Sequence, residues 1–390
     1  MNILIYFGEQ LSPSNGGTER VACLLANHFV EKGDNIYHLA CRPVNSANAV
    51  ETEFLPDKRE APTPNNIRAV NSIIKKYAID VILNEGGFGE VSRLFSHEHI
   101  PDNVKIISHL HFDPLRGRKG YFQGLFLPLS FDRQGVRNLF AWIKSPYHRI
   151  SLIRQIKARF CYMLENSDAV VVLCPKHQQI LKNIVNTGHL HKIVSLINPL
   201  TFTSPSIKNA EKCNEMIYVG RLEYTPKRVD RVLKTWNIIS HNNPDWHLTI
   251  IGDGEDRGRL EKLSRDLGLE RVTFAGRINP QSFYEKAKIL LLTSNHEGTP
   301  MVVQEAMSYG VVPIVMGSFS AASDMITSGH DGIITKPFRI RTFAKGVESV
   351  VRDMGYWHSL STNAVASIKS FSNDDIFKQW DALISKLTDK

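Results

Sequence analysis

Two carboxylates with seven residues between them stand in one short stretch of the chain, Glu297 and Glu305. The apolar run 289–293 precedes them and predicts a buried strand. Between them, residues 298–300 read Gly-Thr-Pro, a sequence that can open a helix and place Glu305 about two turns further on. A helix N-terminus binds phosphate well, whereas a carboxylate beside it needs a hydrogen-bond donor such as a sugar hydroxyl. The stretch therefore predicts a ligand in which a phosphate carries a sugar.

Two cations follow another predicted strand, residues 216–220. Arg221 comes directly after this strand, and Lys227 comes a few residues later. Cations at the carboxyl end of a strand can neutralise a diphosphate without a metal ion. For this motif alone, a solvated basic loop is the alternative interpretation.

A glycine pair, Gly16 and Gly17, lies between the predicted first strand, 2–7, and a predicted helix. Glycines let the backbone approach a phosphate closely, and the helix dipole favours the same anion. A plain turn explains the pair equally well. The spacing is not the Gly-x-Gly-x-x-Gly pattern of dinucleotide-binding proteins, so no nicotinamide cofactor is indicated.

One histidine, His111, follows the predicted strand 104–109. At the carboxyl end of a strand, an imidazole can polarise or orient a substrate hydroxyl. A structural role is the alternative, and His109, two residues earlier, is a rival for the functional role.

Strand and helix patterns alternate in both halves of the chain, which predicts parallel sheets with helices on both faces. The predicted strands are 2–7, 36–40, 80–84, 104–109, 169–173 and 194–197 in the first half, and 216–220, 247–252, 272–276, 289–293, 312–315 and 332–335 in the second. Predicted helices include 67–77, 150–164, 229–240, 257–267, 280–287, 363–369 and 374–387. Two doubly wound domains would bind ligands at the carboxyl ends of their strands, in the cleft between them.

The composition is that of a soluble protein of two domains, because 390 residues can bury two substantial cores. No apolar run approaches the roughly 18 residues that span a bilayer. The N-terminus lacks the basic region of a signal peptide. The five cysteines are far apart and odd in number, which favours reduced thiols in the cytoplasm.

The net charge of +8 is unevenly placed. Residues 115–160 contain ten Lys and Arg against one acid, Asp132, with aromatic residues between them. A basic and aromatic segment indicates an anionic membrane surface, a lipid-linked acceptor, a nucleic acid, or an insertion with a small core of its own. No nucleic-acid-binding motif accompanies it, so no nucleic-acid partner is expected.

Together these motifs resemble the retaining GT-B glycosyltransferases, specifically glycosyltransferase family 4, the glycosyl transferases group 1. The resemblance covers nearly the whole chain and is weakest over 112–165. It is carried, in the order of the family, by Gly16-Gly17, His111, Gly220-Arg221-Leu222 to Lys227, Ile251-Gly252-Asp253-Gly254, Phe274-Ala275-Gly276, Glu297 to Glu305, and Phe371-Ser372 with Trp380.

The resemblance implies a role for each motif. Arg221 and Lys227, with Gly16 and Gly17 from the other domain, would bind the diphosphate of a UDP- or GDP-sugar donor. Glu297 would bind the donor sugar, Glu305 the ribose, and His111 would contact the transferred sugar, so that His111 and Glu297 are the catalytic candidates. Backbone contacts to sugar and phosphate would come from Gly298, Thr299, Pro300, Met301, Val302 and Val303. The resemblance implies neither a metal ion nor a cofactor.

The same resemblance implies an N-terminal acceptor-binding domain over 1–200, a linker over 201–213 and a donor-binding domain over 214–370. The helix 371–390 would cross back to the first domain. The implied activity is metal-independent transfer of a hexose, with retained configuration, to a glycan or lipid-linked glycan of the cell surface. The enzyme would be cytoplasmic, or peripheral at the inner face of the plasma membrane through 115–160.

Three other functions remain open from the sequence. They are a nucleotide-sugar epimerase on the same architecture, a phosphorylase of this architecture that would need a pyridoxal-phosphate lysine, and a non-enzymatic basic adaptor for membranes or nucleic acids.

Overall fold

The computed structural model describes residues 1–13, 16–44, 46, 48–114, 150–151, 153–201 and 212–388. Most of the basic segment 115–160 and most of the predicted linker 201–213 lie outside these residues. The chain divides into two compact units. The first comprises Met1–Pro199 with Asn373–Lys390, and the second comprises Leu200–Ser372.

The described part of the first unit contains a parallel sheet of seven strands in the order β3-β2-β1-β4-β5-β6-β7. The strands are β1 Asn2–Glu9, β2 Asn35–Arg42, β3 Glu53–Phe54, β4 Val81–Asn84, β5 Lys105–Leu110, β6 Ala169–Val172 and β7 Ile193–Ser195. The helices are Gly17–Glu31, Pro64–Tyr77, Val91–Leu94, 153–166, Pro175–Ile184 and Asn373–Thr388, with a 3-10 turn at Leu190–Lys192.

The described part of the second unit contains a parallel sheet of six strands in the order β10-β9-β8-β11-β12-β13. The strands are β8 Glu215–Val219, β9 His247–Ile251, β10 Val272–Gly276, β11 Ile289–Leu292, β12 Val312–Met316 and β13 Ile333–Thr335. The helices are Val229–Ile239, Arg257–Asp266, Gln281–Lys286, Met301–Ser308, Ala322–Met325, Ile340–Val351 and Met354–Ile368, with 3-10 turns at Ser240–Asn242 and Lys369–Phe371.

The cores lie between the sheets and their helices. In the second unit Tyr218, Trp236 and Phe343 are fully buried in one apolar cluster, and in the first unit Tyr6 and Phe95 belong to another. Strands with helices on both faces are buried on both faces, which explains why β4, β6, β11 and β12 are continuous apolar runs.

The structure confirms the predicted architecture of two doubly wound α/β units. The last helix belongs to the first unit, as predicted, and its Trp380 is buried there. Within the described part of the chain, none of the helices has the length and hydropathy of a membrane span.

Several elements differ from the predicted ones. The two-residue strand β3 and the helix Ile340–Val351 were not predicted, and the helix predicted at 363–369 begins earlier, at Met354. The Asp353 carboxylate accepts a hydrogen bond from the Tyr356 backbone N–H and so caps that start. The helix Ile340–Val351 buries Phe343, Ala344, Val347, Val350 and Val351, an apolar periodicity that could have predicted it.

In each sheet the strand order reverses once, between β1 and β4 and between β8 and β11. Ligands of doubly wound folds bind outside the carboxyl ends of the strands at such a reversal. Most of the predicted site residues follow these strands directly, so the fold places them where a ligand is expected.

Candidate active site

In the second unit, the loops after β8 and β9 pack closely on each other through glycines. A Cβ at Gly252 would lie 1.9 Å from the Gly220 carbonyl oxygen, and Gly252 has a φ of +138°. The Gly220 N–H donates to the Ile251 carbonyl oxygen at 3.0 Å. A larger residue at 252 would displace the start of the loop that carries Arg221 and Lys227.

The loop after β8 is joined to the loop after β11 by hydrogen bonds. The Asn295 N–H donates to the Pro226 carbonyl oxygen at 2.8 Å, and the Thr293 hydroxyl donates to the Arg228 carbonyl oxygen at 2.9 Å. The two predicted motifs, about 70 residues apart in sequence, are therefore held side by side at the strand-order reversal.

This arrangement brings Lys227 and Glu297 into direct contact. The Lys227 Nζ donates to both carboxylate oxygens of Glu297, at 2.8 and 3.0 Å. The side chains are 20% and 9% exposed, so the pair is partly shielded from water. A cation expected to bind phosphate and a carboxylate expected to bind a sugar thus neutralise each other in this structure.

Arg221 lies outside this pair. Its guanidinium forms an ion pair with Glu223 at 3.0 Å, and its side chain is 71% exposed. An exposed ion pair of this kind is weak, so Arg221 can exchange Glu223 for an anionic ligand at little cost.

The helix Met301–Ser308 begins directly after Pro300, as the Gly-Thr-Pro sequence predicts. Residues Gly298 to Val303 form the loop before this helix and its first turn. The first N–H groups of a helix lack intrahelical acceptors and carry the positive end of its dipole, so an anion can bind there.

Glu305 lies about one turn into this helix, rather than two turns along as the sequence suggested, and is buried, with 1% of its surface exposed. Its Oε2 accepts a hydrogen bond from the Tyr284 hydroxyl at 2.8 Å. The Tyr284 ring stacks on Tyr309, with centroids 5.8 Å apart. Glu305 and Glu297 therefore have different surroundings, and the ribose role of Glu305 remains a prediction.

Arg231 supports the site and was not predicted. It is buried, its guanidinium donates to the Thr293 carbonyl oxygen at 3.1 Å, and it lies over the Phe338 ring. Burial, followed by the charge of Arg228, lowers the pKa of Arg231 to about 10. The sequence signal is its place near the start of a helix that follows two adjacent basic residues.

In the first unit, β4 and β5 are neighbouring strands. Glu85 directly follows β4, His109 lies near the end of β5, and His111 follows β5. The Glu85 carboxylate lies 3.1–3.2 Å from Nδ1 of His109 and is also hydrogen-bonded to Nε2 of His111. The two imidazole centroids are 4.1 Å apart. Both histidines that competed for the functional role therefore share one carboxylate.

Glu85 was not predicted, although a signal was present: it is an acid that follows a buried strand and precedes two glycines. Gly87 has a φ of +58°, and a Cβ there would lie 2.3 Å from the His109 carbonyl oxygen. Glycine at this position therefore lets the turn after Glu85 pack against β5.

Charge in this cluster is set by burial and by mutual attraction. Burial alone would raise the pKa of Glu85, but the two imidazoles, by charge and by hydrogen bonding, lower it to about 2. Burial lowers the pKa of His109 by more than the neighbouring Glu85 charge raises it, and His111 adds to the lowering. Glu85 is therefore ionised at neutral pH and only accepts hydrogen bonds.

The same three side chains could hold a metal ion, because their ligand atoms all lie within 4.8 Å of one another. Two histidines and a carboxylate form a set that suits zinc. The expectation of a metal-independent enzyme therefore remains a prediction and needs a direct test.

The glycine pair lies at the start of the first helix. Gly16 is extended, Gly17 is the first helical residue, and a Cβ on Gly16 would lie 2.5 Å from a carboxylate oxygen of Glu19. The geometry matches a glycine turn at a helix N-terminus, and the predicted contact with a diphosphate remains untested.

Residues 201–366 match the family model described as Glycosyl transferases group 1. The chain is 28% identical, over 95% of its own length and 97% of the relative, to an uncharacterized glycosyltransferase of Haemophilus influenzae. It is 29% identical, over 68% of its own length and 70% of the relative, to a Campylobacter jejuni enzyme. That relative is named GalNAc-alpha-(1->4)-GalNAc-alpha-(1->3)-diNAcBac-PP-undecaprenol alpha-1,4-N-acetyl-D-galactosaminyltransferase.

Among solved structures, Anabaena HepE in complex with UDP and glucose is similar to this chain with a TM-score of 0.73. The similarity covers 99% of this chain and 100% of HepE at 16% sequence identity. The two parallel sheets and this similarity define a GT-B fold. These similarities support a glycosyltransferase, and residues 201–366, nearly all of the second unit, match the group 1 family model. The epimerase, phosphorylase and adaptor alternatives find no support in these comparisons.

Proposed function

We propose that the protein transfers a hexose, with retained anomeric configuration, from a UDP- or GDP-sugar to a glycan or lipid-linked glycan of a cell-surface polysaccharide. The observation that carries this proposal is the Lys227–Glu297 ion pair at the strand-order reversal of the second unit. Support for the substrate classes comes from HepE, whose structure contains UDP and glucose, and from the Campylobacter jejuni enzyme, whose name includes a PP-undecaprenol glycan.

The ion pair suggests how the donor would bind. A diphosphate is a stronger partner for an ammonium group than one carboxylate is, so Lys227 would turn from Glu297 to the phosphate. Glu297 would then be free to accept hydrogen bonds from hydroxyls of the donor sugar. Binding of a complete donor would therefore replace an internal ion pair by two separate contacts.

Departure of the leaving group places negative charge on the diphosphate. Arg221, Lys227 and the N-terminus of the helix Met301–Ser308 would stabilise this charge, which is the task that a metal ion performs in other transferases. Gly16 and Gly17 are assigned to the diphosphate, Glu305 to the ribose and His111 to the transferred sugar. The acceptor would attack from the face that the leaving group vacates.

Retention can be tested without a known acceptor, because transferases release hexose slowly to water. UDP- and GDP-hexoses with an α linkage would be incubated with the protein, and the first hexose released would be followed by proton NMR before it mutarotates. The α anomer is expected. Initial release of the β anomer would contradict a retaining reaction.

The proposed location is the inner face of the plasma membrane, and it rests on the charge of residues 115–160 in the sequence. Binding to vesicles that contain anionic lipid should be released by salt within the physiological to molar range, because screening lengths fall from about 8 Å to 3 Å. Binding that is absent, or that ignores salt, would contradict this location.

A further inference from the structure

We propose that Glu85 is a positioning residue that fixes the tautomer of His111 and leaves Nδ1 of that ring to accept a hydrogen bond from a hydroxyl of the transferred sugar. The inference rests on the proposed function and deepens it, because it assigns the state in which His111 meets the donor sugar. It also selects His111, rather than His109, as the histidine that contacts substrate.

The first step is the fixed place of the Glu85 carboxylate. The Glu85 N–H donates to the Tyr6 carbonyl oxygen of β1 at 3.0 Å, and the Asn84 side chain accepts a hydrogen bond from the Gly87 N–H at 3.2 Å. The Glu85 side chain is completely buried. The backbone on both sides of Glu85 is therefore fixed, and its carboxylate is shielded from water.

The second step is an inventory of protons. An ionised carboxylate only accepts hydrogen bonds, so each ring nitrogen that faces Glu85 must carry a hydrogen. His109 is then protonated at Nδ1 and His111 at Nε2. In a neutral His111 the remaining nitrogen, Nδ1, keeps its lone pair and is an acceptor.

The third step distinguishes the two rings. Nε2 of His109 and Nδ1 of His111 are both buried without a hydrogen-bond partner among the described residues. The His109 ring is closed off by Trp380 of the last helix, which meets it edge-on at 5.2 Å between centroids. His109 is 1% exposed, whereas the His111 side chain keeps 9% of its surface exposed. His111 is therefore the more accessible of the two rings.

The fourth step concerns what the sugar offers. A hexose presents hydroxyl groups, which donate to a ring nitrogen that has a lone pair. If Nδ1 carried the proton, it would donate a hydrogen bond, and the sugar hydroxyl would have to accept it. The carboxylate of Glu85 thus selects the hydrogen-bonding character of His111 without touching substrate.

The test is a double-mutant cycle with Glu85→Gln and His111→Ala. Glutamine keeps the volume of Glu85 but removes its charge and replaces one acceptor oxygen by an NH2 group that donates, so it holds the two imidazole N–H groups less strongly than the carboxylate does. Loss of the carboxylate that orients a metal-binding histidine typically costs about 10- to 100-fold in activity, and we expect a loss of this size in kcat for donor hydrolysis. The KM of the donor should stay unchanged. In the His111→Ala background, Glu85→Gln should cost nothing further, because its effect runs through His111.

Glu85→Asp, which retains two acceptor oxygens, should recover part of the activity. Glu53→Gln is a matched control, because Glu53 is a carboxylate of the first unit that also accepts two hydrogen bonds, from Lys76 and Tyr77. It should leave kcat unchanged. Thermal melts of all variants identify those that fail to fold.

Two results would overturn the inference. One is an undiminished kcat in Glu85→Gln, and the other is a loss that persists in full in the His111→Ala background, which would show a structural role. Nitrogen NMR of labelled histidine gives a readout that does not need activity: Nδ1 of His111 should be the unprotonated nitrogen in the wild type. A wild type that turns over no UDP- or GDP-hexose would contradict the proposed function, whereas His111 protonated at Nδ1 would contradict the inference alone.

Discussion

Lys227 donates hydrogen bonds to both carboxylate oxygens of Glu297, at 2.8 and 3.0 Å, across the loops that follow β8 and β11. The ammonium group of Lys227 and the carboxylate of Glu297 each satisfy the charge of the other. The cation is kept in place, and the partly buried carboxylate is kept neutralised. A donor that binds as proposed must replace this interaction.

The first prediction concerns Lys227. Lys227→Ala removes a charge-assisted contact to the diphosphate, which is worth about 1.5–3 kcal/mol, so the affinity for UDP or GDP should fall about 10- to 100-fold. Titration calorimetry measures it. Lys234→Ala is the matched control, because Lys234 forms an ion pair with Asp230 on a neighbouring helix surface. Equal affinities of Lys227→Ala and the wild type would remove Lys227 from the diphosphate site.

The second prediction tests the ribose role of Glu305. If Glu305 binds ribose hydroxyls, the wild type should bind UDP or GDP more tightly than the corresponding 2′,3′-dideoxy nucleotide, and Glu305→Gln should reduce that preference. For each variant, the affinity for UDP or GDP is divided by the affinity for the dideoxy nucleotide. This ratio is independent of any loss of stability that a substitution at the buried Glu305 causes. A preference that survives in Glu305→Gln would assign the ribose to other residues.

A third prediction concerns the glycine contact between the loops after β8 and β9. Gly252→Ala forces a Cβ against the Gly220 carbonyl oxygen at a positive φ, so unfolding should become easier by about 2 kcal/mol or more. Gly258→Ala, in the helix Arg257–Asp266 with open space around it, should be neutral or stabilising by up to about 1 kcal/mol. Urea denaturation of both variants checks this. If both variants changed the free energy of unfolding equally, the close approach of Gly252 to Gly220 would not constrain residue 252.

The fourth prediction is a pH dependence of stability from His38. Burial lowers the pKa of His38 to about 4, below its ordinary value of about 6.5. The unfolded chain therefore binds the proton first, so this contribution is complete above about pH 6.5 and is lost as the pH falls towards 4, by about 3 kcal/mol. Denaturation of the wild type and of His38→Gln between pH 7 and 4 measures it. Parallel curves would show that His38 does not carry this dependence.

The fifth prediction concerns metal ions. We expect dialysis against a chelator to leave donor hydrolysis unchanged, because Arg221, Lys227 and a helix N-terminus are proposed to stabilise the leaving group. Activity lost to the chelator and restored by a divalent cation would contradict metal independence. If Glu85→Gln abolished that restoration, the three side chains in the first unit would be the place where the metal binds.

Much of the fold and part of the site follow from the sequence. Apolar runs and helical periodicity predict two doubly wound units, and the structure shows that the strand order of the second unit reverses between β8 and β11, where the residues after these strands meet. The family resemblance assigns Lys227 and Glu297 to the same donor. It does not predict that the two pair with each other, because side-chain partners depend on loop geometry that no periodicity encodes.

The cluster of Glu85, His109 and His111 shows the same limit. Residues two apart near a strand end point to the same side, so the two histidines are expected to be neighbours. Their shared carboxylate comes from another strand, about 25 residues earlier. Only the pairing of β4 with β5 brings the three together.

The most direct test of the central claim is turnover of labelled UDP- and GDP-hexoses by the wild type and by Glu297→Gln, with release of nucleoside diphosphate as the readout. We predict that the wild type releases UDP or GDP from at least one donor. We also predict that Glu297→Gln, with its folding checked by a thermal melt, loses most of this activity. Release at the wild-type rate by Glu297→Gln, or no release by the wild type from any donor, would contradict the central claim.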